Sequence, residues 1–207
     1  MTPRDKKIIA QIQDRVRSGD CISELDDEGQ ESFRPVTRPA LAAAEKQLGF
    51  ALPELLRGIY LQTGEGVGPG YGLLPIQRRV RDTETLVAAY DGLRALGVEN
   101  SEWHWPKKLV PICTQGCGMY SCVDCMETKL PVLIFDPSNL DESEEDKDEA
   151  ALRWTNSFWA EAPSLSVWFE LWLSGVPKTD PSWPSRSWLK RRLWPKKPWN
   201  VARFFKS

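Results

Sequence analysis

The chain has 207 residues, 41% of them apolar and 27% charged, with a formal net charge of −2. A chain this long holds one good-sized domain with tails, and a core region of roughly 150 residues buries about two-thirds of its unfolded surface, so no disulfide or metal staple is required. The composition excludes wholesale disorder, no apolar run reaches the roughly 18 residues of a membrane span, and a single histidine, His104, excludes a His-rich metal site.

The first residues, Met1-Thr2-Pro3-Arg4-Asp5-Lys6-Lys7, are charged and are not followed by the apolar core of a signal peptide. The expectation is therefore a cytoplasmic protein whose five cysteines are reduced thiols. Ile8, Ile12 and Val16 recur at helical spacing with Ile9 beside them, which predicts a helix over 4–18 stopped by Gly19. Residues 19–35 lose all periodicity and read as a linker or surface loop. Thr37 is an N-cap with Pro39 in the first turn, Leu41, Ala44 and Leu48 follow at helical spacing, and Gly49 closes the helix. Leu52-Pro53 opens a second helix with Leu56, Ile59 and Tyr60 on one face, ended by Gly64, so the two form an αα-hairpin.

Gly64, Gly66, Gly68, Gly70 and Gly72 then alternate through a loop. No G-x-G-x-x-G register fits, and the loop follows a helix instead of a strand, so it reads as a turn into a strand over 71–76 and not as a nucleotide cradle. Asp82 is placed to cap a third helix over 83–97, ended by Gly97. Strands are predicted over 108–114, 119–125 and 131–135, with Gln115-Gly116-Cys117-Gly118 as a hairpin turn and Pro111 marking an edge or bulge. A last strand is expected within 151–159, and Ser164 caps a helix over 165–174 ended by Gly175 and Pro177.

Two segments stand apart by charge. Between residues 136 and 150, Asp136, Asp141, Glu142, Glu144, Glu145, Asp146, Asp148 and Glu149 face only Lys147, a net of −7. Between 178 and 207, nine basic residues face only Asp180, a net of +8, with four tryptophans and four prolines among them.

From Arg34 to about Gly175 the order of pieces resembles the SUKH superfamily, Smi/Knr type. The pieces are Leu41-x-x-x-Glu45-Lys46-Gln47-Leu48-Gly49 with Leu52-Pro53-Glu54-x-Leu56-x-x-Ile59-Tyr60, and Thr63-Gly64 running on to Tyr71-Gly72-Leu73-Leu74-Pro75-Ile76. Next come Trp105-Pro106-x-x-Leu109-Val110-Pro111-Ile112, Gly116 to Gly118 and Cys122-Val123-Asp124. Pro131-Val132-x-x-Phe135-Asp136, Ser157-Phe158 and Trp168-Phe169-Glu170-Leu171-Trp172-Leu173-x-Gly175 complete the set. The resemblance implies an α+β domain, a mixed and mainly antiparallel sheet with helices packed on it, and no enzyme active site or cofactor. It divides the chain into an N-terminal helix and linker (1–33), a SUKH-like domain (34–177) and a basic Trp/Pro-rich tail (178–207). It further implies a protein-binding module, an immunity protein that neutralises a cognate toxin. The alternative is a scaffold or regulatory module with a signalling partner. The matching residues are core and turn positions, so they speak for the fold and not for the partner.

Four features bear on the chemistry. Cys113, Cys117, Cys122 and Cys125 invite a zinc site, yet only Cys122-x2-Cys125 has ligand spacing, and buried apolar thiols explain the same residues. A Cys–His pair with His104 lacks a recognisable orienting group, so no catalytic residue is assigned. The acidic residues Asp141, Glu142, Glu144, Glu145, Asp146, Asp148 and Glu149 are the candidate partner-binding set, since an acidic patch steers a basic protein; a merely solvated loop is the other reading. For the tail, Trp with Lys/Arg suits a membrane interface, stacking on single-stranded nucleic acid, or docking on the chain's own acidic loop and apolar surface; the internal or partner-docked reading is favoured and nucleic acid least so.

Overall fold

The structure is a computed structural model and describes residues 1–19, 33–77, 84–95, 104–140 and 157–175. Among them are five α-helices, a four-stranded sheet and one 3-10 turn: α1 (Pro3–Ser18), α2 (Arg38–Leu48), α3 (Glu54–Gln62), α4 (Leu86–Ala95), β1 (Leu109–Gly116), β2 (Met119–Asp124), β3 (Val132–Phe135), the 3-10 turn Pro137–Asn139, β4 (Phe158–Ala162) and α5 (Leu165–Leu173). The expected α+β class stands.

Local chemistry sets most helix ends. Thr2 Oγ1 accepts from the Asp5 N–H while Asp5 Oδ2 accepts from the Thr2 N–H, a capping box that starts α1, and Gly19 at φ +78° ends it. Thr37 and Ser164 cap α2 and α5 as expected, accepting from the Ala40 and Val167 N–H groups. The helix expected over 83–97 is corrected at its start. Glu84 and Thr85 lie outside it, and Thr85 Oγ1 accepts from the Ala88 N–H at 3.2 Å, so α4 begins at Leu86. Asp82 and Gly97 themselves lie outside the described residues.

The sheet order is β1-β2-β3-β4, and every pairing is antiparallel. Pro111 sits opposite Cys122 and Cys113 opposite Ser121, which leaves Ile112 unpaired: the ladder bulges beside the residue that has no N–H to give. The strand expected over 71–76 shrinks to one bridge, Leu73 to Cys113. Gly72 at φ +79° precedes it and Pro75 follows, so the chain can neither enter nor extend that pairing. The last strand lies further along than expected, at Phe158–Ala162, because Phe158 and Ala162 are the residues that register with Phe135 and Val132; of the 151–159 stretch, residues 151–156 lie outside the described residues.

Helices cover the sheet: α4 packs on β1 and α5 on β4, while α1 lies against both α3 and α5. Ile8, Ile12, Leu56, Ile59, Val110, Phe135, Trp168 and Phe169 are all within 1% of full burial and belong to one core. Each contributes about 1.5–3 kcal/mol of transfer free energy. On one side Trp105, Phe135 and Phe158 form a cluster with ring centroids 5.0–5.6 Å apart. Gly58 opens a notch in α3 for Ile9, whose Cδ1 would come 2.5 Å from a Cβ placed there. Polar contacts lace α1 to α5. The Arg4 guanidinium forks onto the Glu170 carboxylate (2.7 and 2.6 Å), and Arg15 Nη2 donates to the Leu173 carbonyl at 2.9 Å while its guanidinium stacks 5.1 Å over the Trp172 ring. Among the described residues no helix is long and apolar enough to cross a membrane.

Candidate interaction surface

One end of the sheet gathers three segments that the sequence singled out separately. The β1–β2 turn places Gly116, Cys117 and Gly118 at φ +82°, +50° and +73°, with Cys117 exposed at the tip. A Cβ on Gly118 would stand 3.1 Å from Pro137 Cγ, so the tip rests on the 3-10 turn that follows β3. That turn is capped by Asp136, whose Oδ1 accepts from the Ser138 N–H at 2.9 Å. The Asp136 N–H donates to the Ser157 carbonyl at 2.8 Å and adds one rung beyond the Phe135–Phe158 pair.

The stretch between Asp136 and Ser157 is thus an excursion with both feet fixed at one spot, beside the hairpin tip. The candidate partner-binding residues Asp141, Glu142, Glu144, Glu145, Asp146, Asp148 and Glu149 lie in that excursion, outside the described residues. Asp136, the first acid of the run, has a capping role.

The glycine-rich loop forms the neighbouring wall. It folds back on itself: the Gly66 N–H donates to Leu73 O, the Leu73 N–H to Val67 O and the Leu74 N–H to Ile112 O on β1, at 2.8–3.1 Å. A Cβ on Gly72 would fall 1.8 Å from the Gly66 carbonyl oxygen. At its centre Glu65 is 4% exposed, and its Oε1 accepts from the Ile76 and Gln77 N–H groups at 2.6 and 2.5 Å. The buried Tyr60 hydroxyl donates to Leu74 O at 2.8 Å, and burial, with Glu65 nearby, pushes that phenol well above its usual pKa. These backbone amides are satisfied within the chain and do not converge on an external anion.

Glu65 is the residue that sequence reasoning missed here. A lone acid in a run of glycines was a signal, since backbone N–H groups in a folded-back loop need an acceptor. Gln115 was missed as well; its Nε2 donates to Ser121 Oγ at 2.8 Å and lies 3.5 Å from Cys113 Sγ. A third is the pair Tyr120–Glu84, a phenol-to-carboxylate hydrogen bond that ties the approach to α4 onto β2. Burial first, and then Glu84, raise the Tyr120 pKa far above its ordinary value.

The four clustered cysteines are distributed, not gathered. Cys113 is buried, with its thiol donating to the Pro69 carbonyl at 3.0 Å. Its register partner is Ser121, so the next residue, Cys122, projects to the other face of the sheet. Cys117 is at the exposed tip and Cys125 lies just past the end of β2. Among the described residues no group of three or more His, Cys, Asp or Glu side chains is arranged to hold a metal ion. Burial raises the Cys122 pKa, with Glu161 and Cys113 adding to it, and burial beside Asp124 pushes Cys125 up to about 12. In the chain alone both are therefore held as thiols, and nucleophilic attack needs the thiolate. His104 is exposed in the loop before Trp105.

What remains at this end is a rim built by backbone and turn chemistry, where the described chain stops and resumes around the acidic run. The family model of the SMI1 / KNR4 family (SUKH-1) matches residues 35–160, from the approach to α2 into β4. The chain belongs to this family. The match takes in the αα-hairpin, the glycine-rich loop, β1 to β3 and the acidic excursion of this SUKH-1 chain; α1 and α5 lie outside it. No curated protein matches the chain.

Proposed function

We propose that this SUKH-1 chain is a non-enzymatic, cytoplasmic protein-binding module of the immunity type, which neutralises a cognate toxin by binding it directly. Membership of the family is the observation that carries the reading. Asp141, Glu142, Glu144, Glu145, Asp146, Asp148 and Glu149 supply the steering charge. They fit a basic partner, such as an enzyme that acts on nucleic acid, because a dense patch of one sign raises the encounter rate and disfavours acidic competitors. Apolar anchors at the interface supply most of the binding energy, over a standard buried area of roughly 1,600 Å².

The test is co-expression. Cells that make the product of the adjacent gene are expected to stop growing, and growth is expected to return when this chain is made alongside it. Growth arrest that the chain does not relieve, with no complex recovered from the two purified proteins, overturns the reading and leaves a scaffold role with another partner.

A further inference from the structure

Helix α5 reads Leu165-Ser166-Val167-Trp168-Phe169-Glu170-Leu171-Trp172-Leu173, apolar nearly all round. Such a helix is expected to be buried on every side. Leu165, Trp168 and Phe169 are buried in the core. The Ser166 hydroxyl, the Glu170 carboxylate and the Leu173 carbonyl meet α1 through Asp5, Arg4 and Arg15. Val167 and Leu171, one turn apart, occupy the remaining side and are only half-buried.

The chain continues from this helix. Gly175 at φ +71° turns it out of α5, and 32 residues follow, 176–207, carrying Trp183, Trp188, Trp194, Trp199, Phe204 and Phe205 with nine basic residues against Asp180. The Arg15–Leu173 bond sets the end of α1 beside the end of α5. The segment leaving α1, residues 20–32, holds six acids (Asp20, Glu24, Asp26, Asp27, Glu28 and Glu31) and no base. The cationic segment thus leaves the fold next to an anionic one.

We propose that residues 176–207 dock on their own domain, laying aromatic side chains over the Val167–Leu171 side of α5. The segment begins at the end of the helix it covers, so no long loop has to be closed. Its charge is opposite to that of the neighbouring exit, and its tryptophans match an apolar side that the core covers only in part. Prolines at 181, 184, 195 and 198 keep it from continuing α5 as one helix and favour an extended wrap.

Limited trypsin digestion of the full chain tests this, because cleavage of a docked segment tracks the population of its open form. Cutting after Arg186, Lys190, Arg191, Arg192 and Arg203 is expected to be slower by about tenfold or more than in a synthetic 176–207 peptide. That protection is expected to be independent of protein concentration, to weaken at high salt, and to fall in Val167→Asp and in Leu171→Asp. Circular dichroism and cleavage within the core report whether each variant is folded; should one variant unfold, the wild-type rate and the other variant still decide. Peptide-like cleavage in the wild type overturns the proposal. So does protection seen only at high protein concentration, which means a second copy, or only with anionic phosphatidylserine vesicles, which means a membrane surface.

Discussion

The α1–α5 layer and the glycine-rich end of the sheet are both closely packed, yet they are held by different means. Between α1, α3 and α5 the work is done by apolar volume, Ile8, Ile9, Ile12, Trp168 and Phe169, with Arg4–Glu170 as a half-exposed clasp on top. At the other region the side chains matter less than the backbone. Gly72 must lack a Cβ, and one buried carboxylate, Glu65, accepts two amides. The difference teaches that tolerance to substitution is set by what fills the space. A packed helix layer forgives surface changes, whereas a loop wound through its own carbonyls does not forgive a single methyl.

The sharpest way to break this contrast is Gly72→Ala. The new Cβ would collide with the Gly66 carbonyl while the residue is held at φ +79°, so a loss of more than about 4 kcal/mol is expected in urea unfolding. Glu65→Ala comes next. It leaves the Ile76 and Gln77 N–H groups without their acceptor and should cost about 2–3 kcal/mol by the same measurement. Arg4→Ala marks the tolerant end. Its partner is about 41% exposed and the pair is screened by water, so a loss below about 1 kcal/mol is expected. The Glu170 carboxyl sits below its ordinary pKa because of the Arg4 hydrogen bond. That small contribution is therefore present above the ordinary carboxyl pKa and fades as pH falls through the lowered one. A loss for Arg4→Ala equal to that for Glu65→Ala would erase the contrast.

Much of the helical part was legible because its signals are local. Thr37, Ser164, Gly19 and Gly49 mark their helix ends within three or four residues, and the structure uses them in those roles. The bulge at Pro111 was legible for the same reason, since a missing N–H is a property of one residue. The strands expected over 108–114, 119–125 and 131–135 match β1, β2 and β3 to within two residues, while the other two expected strands fared worse. An apolar stretch such as 71–76 has the side chains of a strand, but Gly72 and Pro75 deny it a partner beyond one bridge, and period-two patterning does not report pairing. Asp82 was read as the cap on residue type alone, and Thr85, whose residue type suits the role as well, was passed over.

The clasp of Arg4 on Glu170 was invisible for a different reason: the two residues are 166 positions apart, and only the fold brings them together. The candidate surface was half legible. Its acids stand out as a charge run, while the fact that the flanks of that run share an end of the sheet with the glycine-rich loop and the Cys117 tip follows from the Asp136–Ser157 rung and the Gly118–Pro137 and Gly116–Tyr71 contacts.

The central claim is that the acidic excursion of this SUKH-1 chain recruits a basic protein partner. Its most direct test is the association rate between the purified chain and the adjacent gene's product, followed by stopped-flow mixing across a range of salt. Replacing Glu142, Glu144, Glu145 and Asp146 by lysine is expected to slow association by about tenfold or more at low salt, with the gap closing as the Debye length shrinks. Equal rates for the two proteins at every salt concentration would contradict the account.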